Sequence, residues 1–216
     1  MTETTWSIPS ASLRKTTIEP SILYFGTPVA LICTQDPDGS TNIGPMSSAW
    51  ALGKTVVMGW ATKAWTLDNL ARTGECTINL ASAELMDNVE RLAPLTGRNP
   101  VPAAVADTFR YEPDKFTAAG LTMESSETVV PPRIREYRLQ LEAEVTAIHS
   151  PAGPDANQFR IVETHVRRVH ADPAMVIDGT DHIDPAEWNP LLYVFRHYFT
   201  TGPRLGKTFR ANDNAH

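Results

Sequence analysis

The chain has 216 residues, 42% hydrophobic and 20% charged, which gives a core of useful size without staples. Lys and Arg number 19 against 25 Asp and Glu, a formal net charge of −6 that speaks against a nucleic-acid surface held by counterion release. No apolar run reaches the length of a membrane span and no charged-then-apolar leader is present, so the expected setting is a reducing cytoplasm.

Residues 1–20 read as a polar arm, 21–200 as one domain and 201–216 as a polar tail, with Arg210 to His216 expected to fray. Pro28 to Thr34 is a short, apolar, β-branched run and predicts a buried strand, closed by the turn Asp36-Pro37-Asp38-Gly39. Ser47 to Leu52 and Thr55 to Ala61 predict two further strands around Gly53-Lys54. Leu67, Leu70 and Ala71 carry helical spacing over Thr66 to Thr73, and Gly74 supplies a stop. Cys76 to Leu80 predicts a strand. Ser82 is placed as the N-cap of a helix whose apolar face is Leu85, Met86, Val89 and Leu92. A loop follows from Thr96 to Val105, then a helical turn from Lys115 to Ala119 ended by Gly120. Arg138 to His149 alternates like a half-buried strand, and Phe159 to His170 and Leu191 to Phe195 follow as strands. Strands dominate and helices are few, which points to a closed or nearly closed antiparallel barrel with helical excursions.

Two stretches carry chemistry. In Asn42 to Trp50, small and hydroxyl residues (Gly44, Ser47, Ser48, Ala49) replace bulk, so a flat ligand can approach the main chain. In Ala61 to Asn69, Thr62, Lys63 and Thr66 gather hydroxyls and a cation at a helix start, which suits a phosphate. Together they read as a mononucleotide site of the flavin kind. Each also has an ordinary reading: strand hydroxyls for Ser47 and Ser48, a solvated Lys63, an N-cap for Thr66 and packing for Trp50, Trp60 and Trp65. Cys33 and Cys76 lie in apolar runs and read as buried free thiols. The histidines show no metal spacing. Glu142 and Glu144 read as exposed strand glutamates. The arginines at 133, 135, 138, 167 and 168 read as a solvated face interleaved with glutamates.

In order and spacing, several motifs resemble the flavin reductase-like family of FMN-binding proteins. They are Gly26 to Leu31, Asp38 to Asn42, Pro45 to Ser48, Lys63 with Thr66 and Asn69, Gly74 to Asn79, Ala119-Gly120-Leu121 and Pro190-Leu191-Leu192. The resemblance implies a mainly β fold with short helices: a split β-barrel of FMN-binding type, antiparallel and Greek-key-like. It implies FMN at a homodimer interface and hydride transfer from NAD(P)H to flavin. Asn42, Met46, Ser47, Ser48 and Ala49 would line the ring and ribityl chain, and Thr62, Lys63, Thr66 and Asn69 would hold the phosphate end. The nicotinamide nucleotide would be the donor, and a flavin-dependent monooxygenase is an expected partner. The alternatives are a flavin carrier or sensor with little turnover, or an FMN-dependent reductase that keeps its flavin.

The chain departs from the family pattern in two places. A late strand carries Thr164 and His165 where a glycine and a glutamate are common. Near the end, Phe195-Arg196-His197 replaces a Gly-Gly-Arg. No single catalytic acid or base is assigned, since hydride transfer between stacked rings needs mainly alignment.

Overall fold

The computed structural model describes residues 14–206 and residue 208. Most of the N-terminal arm and the tail from residue 209 lie outside the described residues. In chain order the elements are β1 (Phe25–Pro28), β2 (Ala30–Gln35), β3 (Thr41–Met46), β4 (Ala49–Leu52), β5 (Thr55–Ala61), α1 (Trp65–Thr73) and β6 (Glu75–Leu80). Next come α2 (Met86–Leu92), β7 (Leu95–Thr96), β8 (Arg110–Tyr111), α3 (Lys115–Ala119), β9 (Met123–Glu124) and β10 (Arg133–Ile134). The long strands β11 (Leu139–His149) and β12 (Phe159–Ala171) follow, then β13 (Leu192–Val194) and β14 (His197–Phe199).

The main sheet has seven strands in the order β3-β2-β6-β11-β12-β5-β4, paired antiparallel. Its two outermost strands, β3 and β4, are joined by only Ser47 and Ser48. Laid flat, the sheet would hold those edges about 29 Å apart, whereas Met46 to Ala49 spans at most about 11 Å. The sheet must therefore curl until its edges meet, and the molecule is a split β-barrel. Side chains from β2, β5, β6, β11 and β12 meet in one apolar cluster around Ile32, Met58, Ile78 and Val162, into which α1 inserts Leu67 and Leu70. A second cluster, around Leu31, Ile43, Leu92 and Phe116, packs α2 and α3 against the other face of β2 and β3. Strand β2 is thus buried on both faces, which is why its sequence is a continuous apolar run instead of an alternation.

The strand expected from Pro28 to Thr34 is split at Val29. There the chain changes sheets: the Val29 amide donates to Leu191 O and its carbonyl accepts from the Ala81 amide. The turn holds as expected, with Gly39 at φ +89 and its amide donating 3.0 Å to Asp36 O. Gly74 ends α1 in the left-handed region, its amide donating to Leu70 O. Ser82 precedes a single 3-10 turn and caps nothing with its side chain; α2 begins only at Met86. Both cysteines are buried and free, on opposite faces of the sheet, and burial pushes each thiol up to about 12.

Glu142 corrects the reading of β11. It is fully buried on the face of β11 opposite Leu141 and Ala143, where Glu127, Thr128 and Arg133 cover it. Its carboxylate accepts from the amides of Glu127 and Thr128 (2.9 and 2.6 Å) and from Thr128 Oγ1. His170 Nε2 lies 2.8 Å from its Oε1, and Arg133 Nε 3.5 Å. Burial works against the charge, but the Thr128 hydroxyl and the two amides outweigh it and bring the carboxyl down to about 2. Three of the other arginines form ion pairs, Arg138 with Asp172, Arg167 with Glu144 and Arg168 with Glu127. No described helix is long and apolar enough to cross a membrane.

Candidate functional site

The joint that closes the barrel also forms the wall of a cavity of about 870 Å³. Ser47, Ser48, Gly59 and Trp60 lie on one side, and Tyr24, Tyr193 and Tyr198 among the residues around the rest. The Ser48 carbonyl accepts from the Gly59 amide at 2.8 Å, and its hydroxyl bonds Tyr24 Oη at 2.8 Å. The Tyr24 and Tyr193 rings meet edge-on at 5.2 Å, and Tyr193 leans on Tyr198 at 5.7 Å. The Ser47 hydroxyl has no partner among the described residues.

A second lobe of about 300 Å³ shares Pro45, Trp60, Ala61 and Ala64 with the first. Trp60 therefore separates and borders both. Its indole Nε1 is buried and has no hydrogen-bond partner, a cost of order 1–3 kcal/mol unless an acceptor is supplied. The floor of the second lobe is a polar chain: Lys115 Nζ donates to Asn42 Oδ1 (2.8 Å) and to Ile43 O (2.9 Å), and Asn42 Nδ2 donates to Thr66 Oγ1 (3.0 Å). Thr66 accepts there, so its own hydroxyl proton remains to be given. Lys63 and Arg98 border the same lobe, and Arg98 lies over the Trp65 ring while pairing with Asp68. The start of α1 opens here with Ala64 at its N-cap, and no side chain satisfies its first amides. Thr66 is therefore inside the helix and not its cap.

Lys115 carries no signal in the sequence beyond a helical turn. It is 4% exposed, and its ammonium touches only neutral acceptors. Burial pushes it down to about 8, against the pull of Asp36.

The structure brings Asn42, Met46, Ser47, Ser48, Lys63 and Thr66 to the two lobes. It leaves three expected residues outside them. Asn69 is buried on the next turn of α1, donating to Thr34 Oγ1 and Asp36 Oδ1 and accepting from Arg72. Thr62 donates to the carbonyl of Asn157. Ala49 borders an apolar hollow that adjoins the larger lobe, with Leu23, Phe25 and Trp50. Gly44 also has a different reason from the one expected. A Cβ there would come within 2.3 Å of Thr66 Oγ1, so the glycine lets α1 approach β3. Of the two divergent segments, Thr164 is buried and donates to Val56 O, and His165 is exposed on β12; neither lines either lobe.

The other divergent segment does. Val194 pairs with His197, so Phe195 and Arg196 form a two-residue hairpin turn at the mouth of the larger lobe. Their φ angles are +43° and +71°. Such turns favour Asn-Gly or Gly-Gly, and a side chain in the left-handed region costs roughly 1–2 kcal/mol per residue. The Phe195 amide donates to Tyr24 O at 2.7 Å, and His197 Nδ1 lies 3.1 Å from Phe195 O.

A family model described as a flavin reductase-like domain matches residues 22–202. The chain is 44% identical over 195 residues to the uncharacterized protein YdfE of Bacillus subtilis (strain 168), covering 90% of this chain and 93% of that one. Among solved structures it resembles the flavoredoxin of Desulfovibrio vulgaris (Miyazaki F), with TM-score 0.73 and 21% identity over 93% of this chain and all 100% of that one. It also resembles nitrilotriacetate monooxygenase component B from Bacillus cereus, with TM-score 0.70 and 16% identity over 93% and 100% of the two chains. At those identities the two structures speak to the fold.

Proposed function

The chain belongs to the flavin reductase-like family, and from that premise we propose that it binds FMN in the two-lobed cleft and accepts hydride from NADH or NADPH. One observation carries this reading: the Ser47-Ser48 joint and the cations around Lys115 line two adjoining cavities that share Pro45, Trp60, Ala61 and Ala64. When bound, the flavin supplies the two-electron chemistry, and the protein contributes binding, orientation and exclusion of water. Lys115, Lys63 and Arg98, with the Thr66 hydroxyl and the open start of α1, form the phosphate end. Asn42 positions Lys115 and Thr66 from beneath. Ser47 and Trp60 Nε1 offer unpaired donors to the polar edge of a ring. The Tyr24–Tyr193–Tyr198 wall shields the larger lobe from solvent. Lys115 joins the group expected from sequence, while Asn69 supports it from behind through Thr34 and Asp36.

A homodimer belongs to the same proposal. Leu23, Phe25, Trp50 and Leu52 are exposed large apolar side chains. Three of them line the hollow that continues from the larger lobe through Tyr24, Ser48 and Gly59. A contiguous apolar surface beside a binding site suits a second copy. The likeness to a monooxygenase component supports delivery of reduced flavin to a monooxygenase. The hairpin substitution favours the second reading, a flavin carrier or sensor with slow turnover. The experiment is the visible spectrum of purified protein with added FMN, followed by anaerobic addition of NADH and NADPH. Bleaching of a bound flavin supports the reductase. A yellow protein inert to both nucleotides supports the carrier, and failure to take up FMN removes both.

A further inference from the structure

The cations bordering the cleft divide by position. Lys63, Arg98 and Lys115 serve the smaller lobe, where the proposed FMN places its only phosphate. Arg196 stands at the mouth of the larger lobe, exposed, and among the described residues no hydrogen bond or ion pair holds its guanidinium. The one carboxylate lining that lobe, Glu90, already accepts from Tyr198 Oη at 2.7 Å. The backbone beneath Arg196 is fixed by the Phe195 amide on Tyr24 O, in a conformation that glycine would adopt without strain. A strained turn that presents a free cation over a cleft has the character of a binding lip.

We propose that Arg196 selects the hydride donor, binding a phosphate group of the nicotinamide dinucleotide as it enters the larger lobe. The inference rests on the flavin reading. The flavin and the donor would then be held by separate cation sets at opposite ends of one cleft, so each affinity can be changed alone. Guanidinium suits the task because its fork matches phosphate oxygens.

The test uses FMN-loaded full-length protein with Arg196→Gly and Arg196→Lys. Four quantities are read: the dissociation constant for FMN by absorbance, the melting temperature, the dissociation constants of NADP+ and NAD+ by calorimetry, and the concentration dependence of anaerobic reduction by NADPH and NADH. Arg196→Gly is expected to melt higher and keep its FMN affinity. Its donor dissociation constants should rise by roughly tenfold, the scale of one lost charge-assisted contact, with the limiting reduction rate unchanged. Arg196→Lys is expected to recover much of the loss. A loss shared by both nucleotides assigns the pyrophosphate; a loss confined to NADPH assigns the 2′-phosphate. Unchanged nucleotide affinity in an FMN-loaded Arg196→Gly protein overturns the inference and leaves the flavin reading intact. A parent protein that binds FMN but neither nucleotide also overturns it. A parent that takes up no FMN removes the underlying reading and the inference together.

Discussion

Two charged side chains are buried among the described residues, and they are treated in opposite ways. Glu142 is surrounded by donors: two amides, a hydroxyl, His170 and Arg133. Its carboxyl falls to about 2 despite burial. Among the described residues Lys115 hydrogen-bonds two neutral oxygens, and its ammonium falls to about 8 because burial outweighs the more distant pull of Asp36. The first charge is complete without any ligand. It pins the 127–128 loop to the sheet and faces no need for solvent or substrate. The second is incomplete and borders a cavity. The difference teaches how to tell scaffold from site: saturation of the charge, not burial, is the distinguishing observation.

The largest expected effect breaks the complete charge. Glu142→Ala should lose about 3–5 kcal/mol of stability, because the Glu127 and Thr128 amides, the Thr128 hydroxyl and His170 all lose their acceptor, measured by denaturant unfolding. FMN affinity of the folded variant should be unchanged. The same contrast has a pH signature. The folded carboxyl titrates below its ordinary value of 4.5, so its stabilisation is full above that value and fades as pH falls toward about 2. Glu142→Gln should flatten the acid limb of the unfolding curve.

Next comes the incomplete charge. Lys115→Met should weaken FMN binding by about 2–3 kcal/mol, roughly 30- to 150-fold, and riboflavin binding far less, because only FMN carries phosphate. Folding stability should change by less than in Glu142→Ala, since removing the buried ammonium offsets part of the cost of leaving Asn42 Oδ1 and Ile43 O without a donor. Equal loss for both flavins would take Lys115 out of the phosphate end. A smaller effect follows from titration. In the free protein the ammonium loses its proton as pH rises through about 8, so FMN affinity should decline above that pH and the decline should vanish in Lys115→Met. Over the same range, stability of the ligand-free protein should rise with pH, because the unfolded chain binds the extra proton. The smallest effect is expected of Lys63→Ala. Lys63 is exposed, and a solvated cation contributes up to about 1 kcal/mol, a few-fold in affinity. A loss matching that of Lys115→Met would erase the distinction between buried and exposed cations.

The elements with local signals were legible in the sequence. Gly74 and Gly120 end their helices in the left-handed conformation, and Gly39 closes its hairpin, because those positions answer to backbone sterics alone. The two halves of the cleft were legible because the family motifs carry Ser47-Ser48 and Lys63 with Thr66. Lys115 was not: it lies 73 residues from its partner Asn42, and only the packing of α3 against β3 brings them together. Glu142 reads as exposed because alternation assumes that the polar face of β11 meets water, whereas the segment carrying Glu127 and Thr128 folds over that face. Asn69 matched a motif, yet its partners Thr34 and Asp36 sit on a neighbouring strand end that no local pattern reveals.

The Ser47-Ser48 connection has one further consequence. Its length answers to two pairings at once, β3 with β2 and β4 with β5, and neither can slide without turning side chains over. One extra residue spliced between these serines would have no slack to occupy. It would swing Trp50 and Leu52 to the opposite side of their ribbon or pry apart the seam where the ring of strands meets. The spacing of this pair is therefore fixed by geometry before any ligand enters.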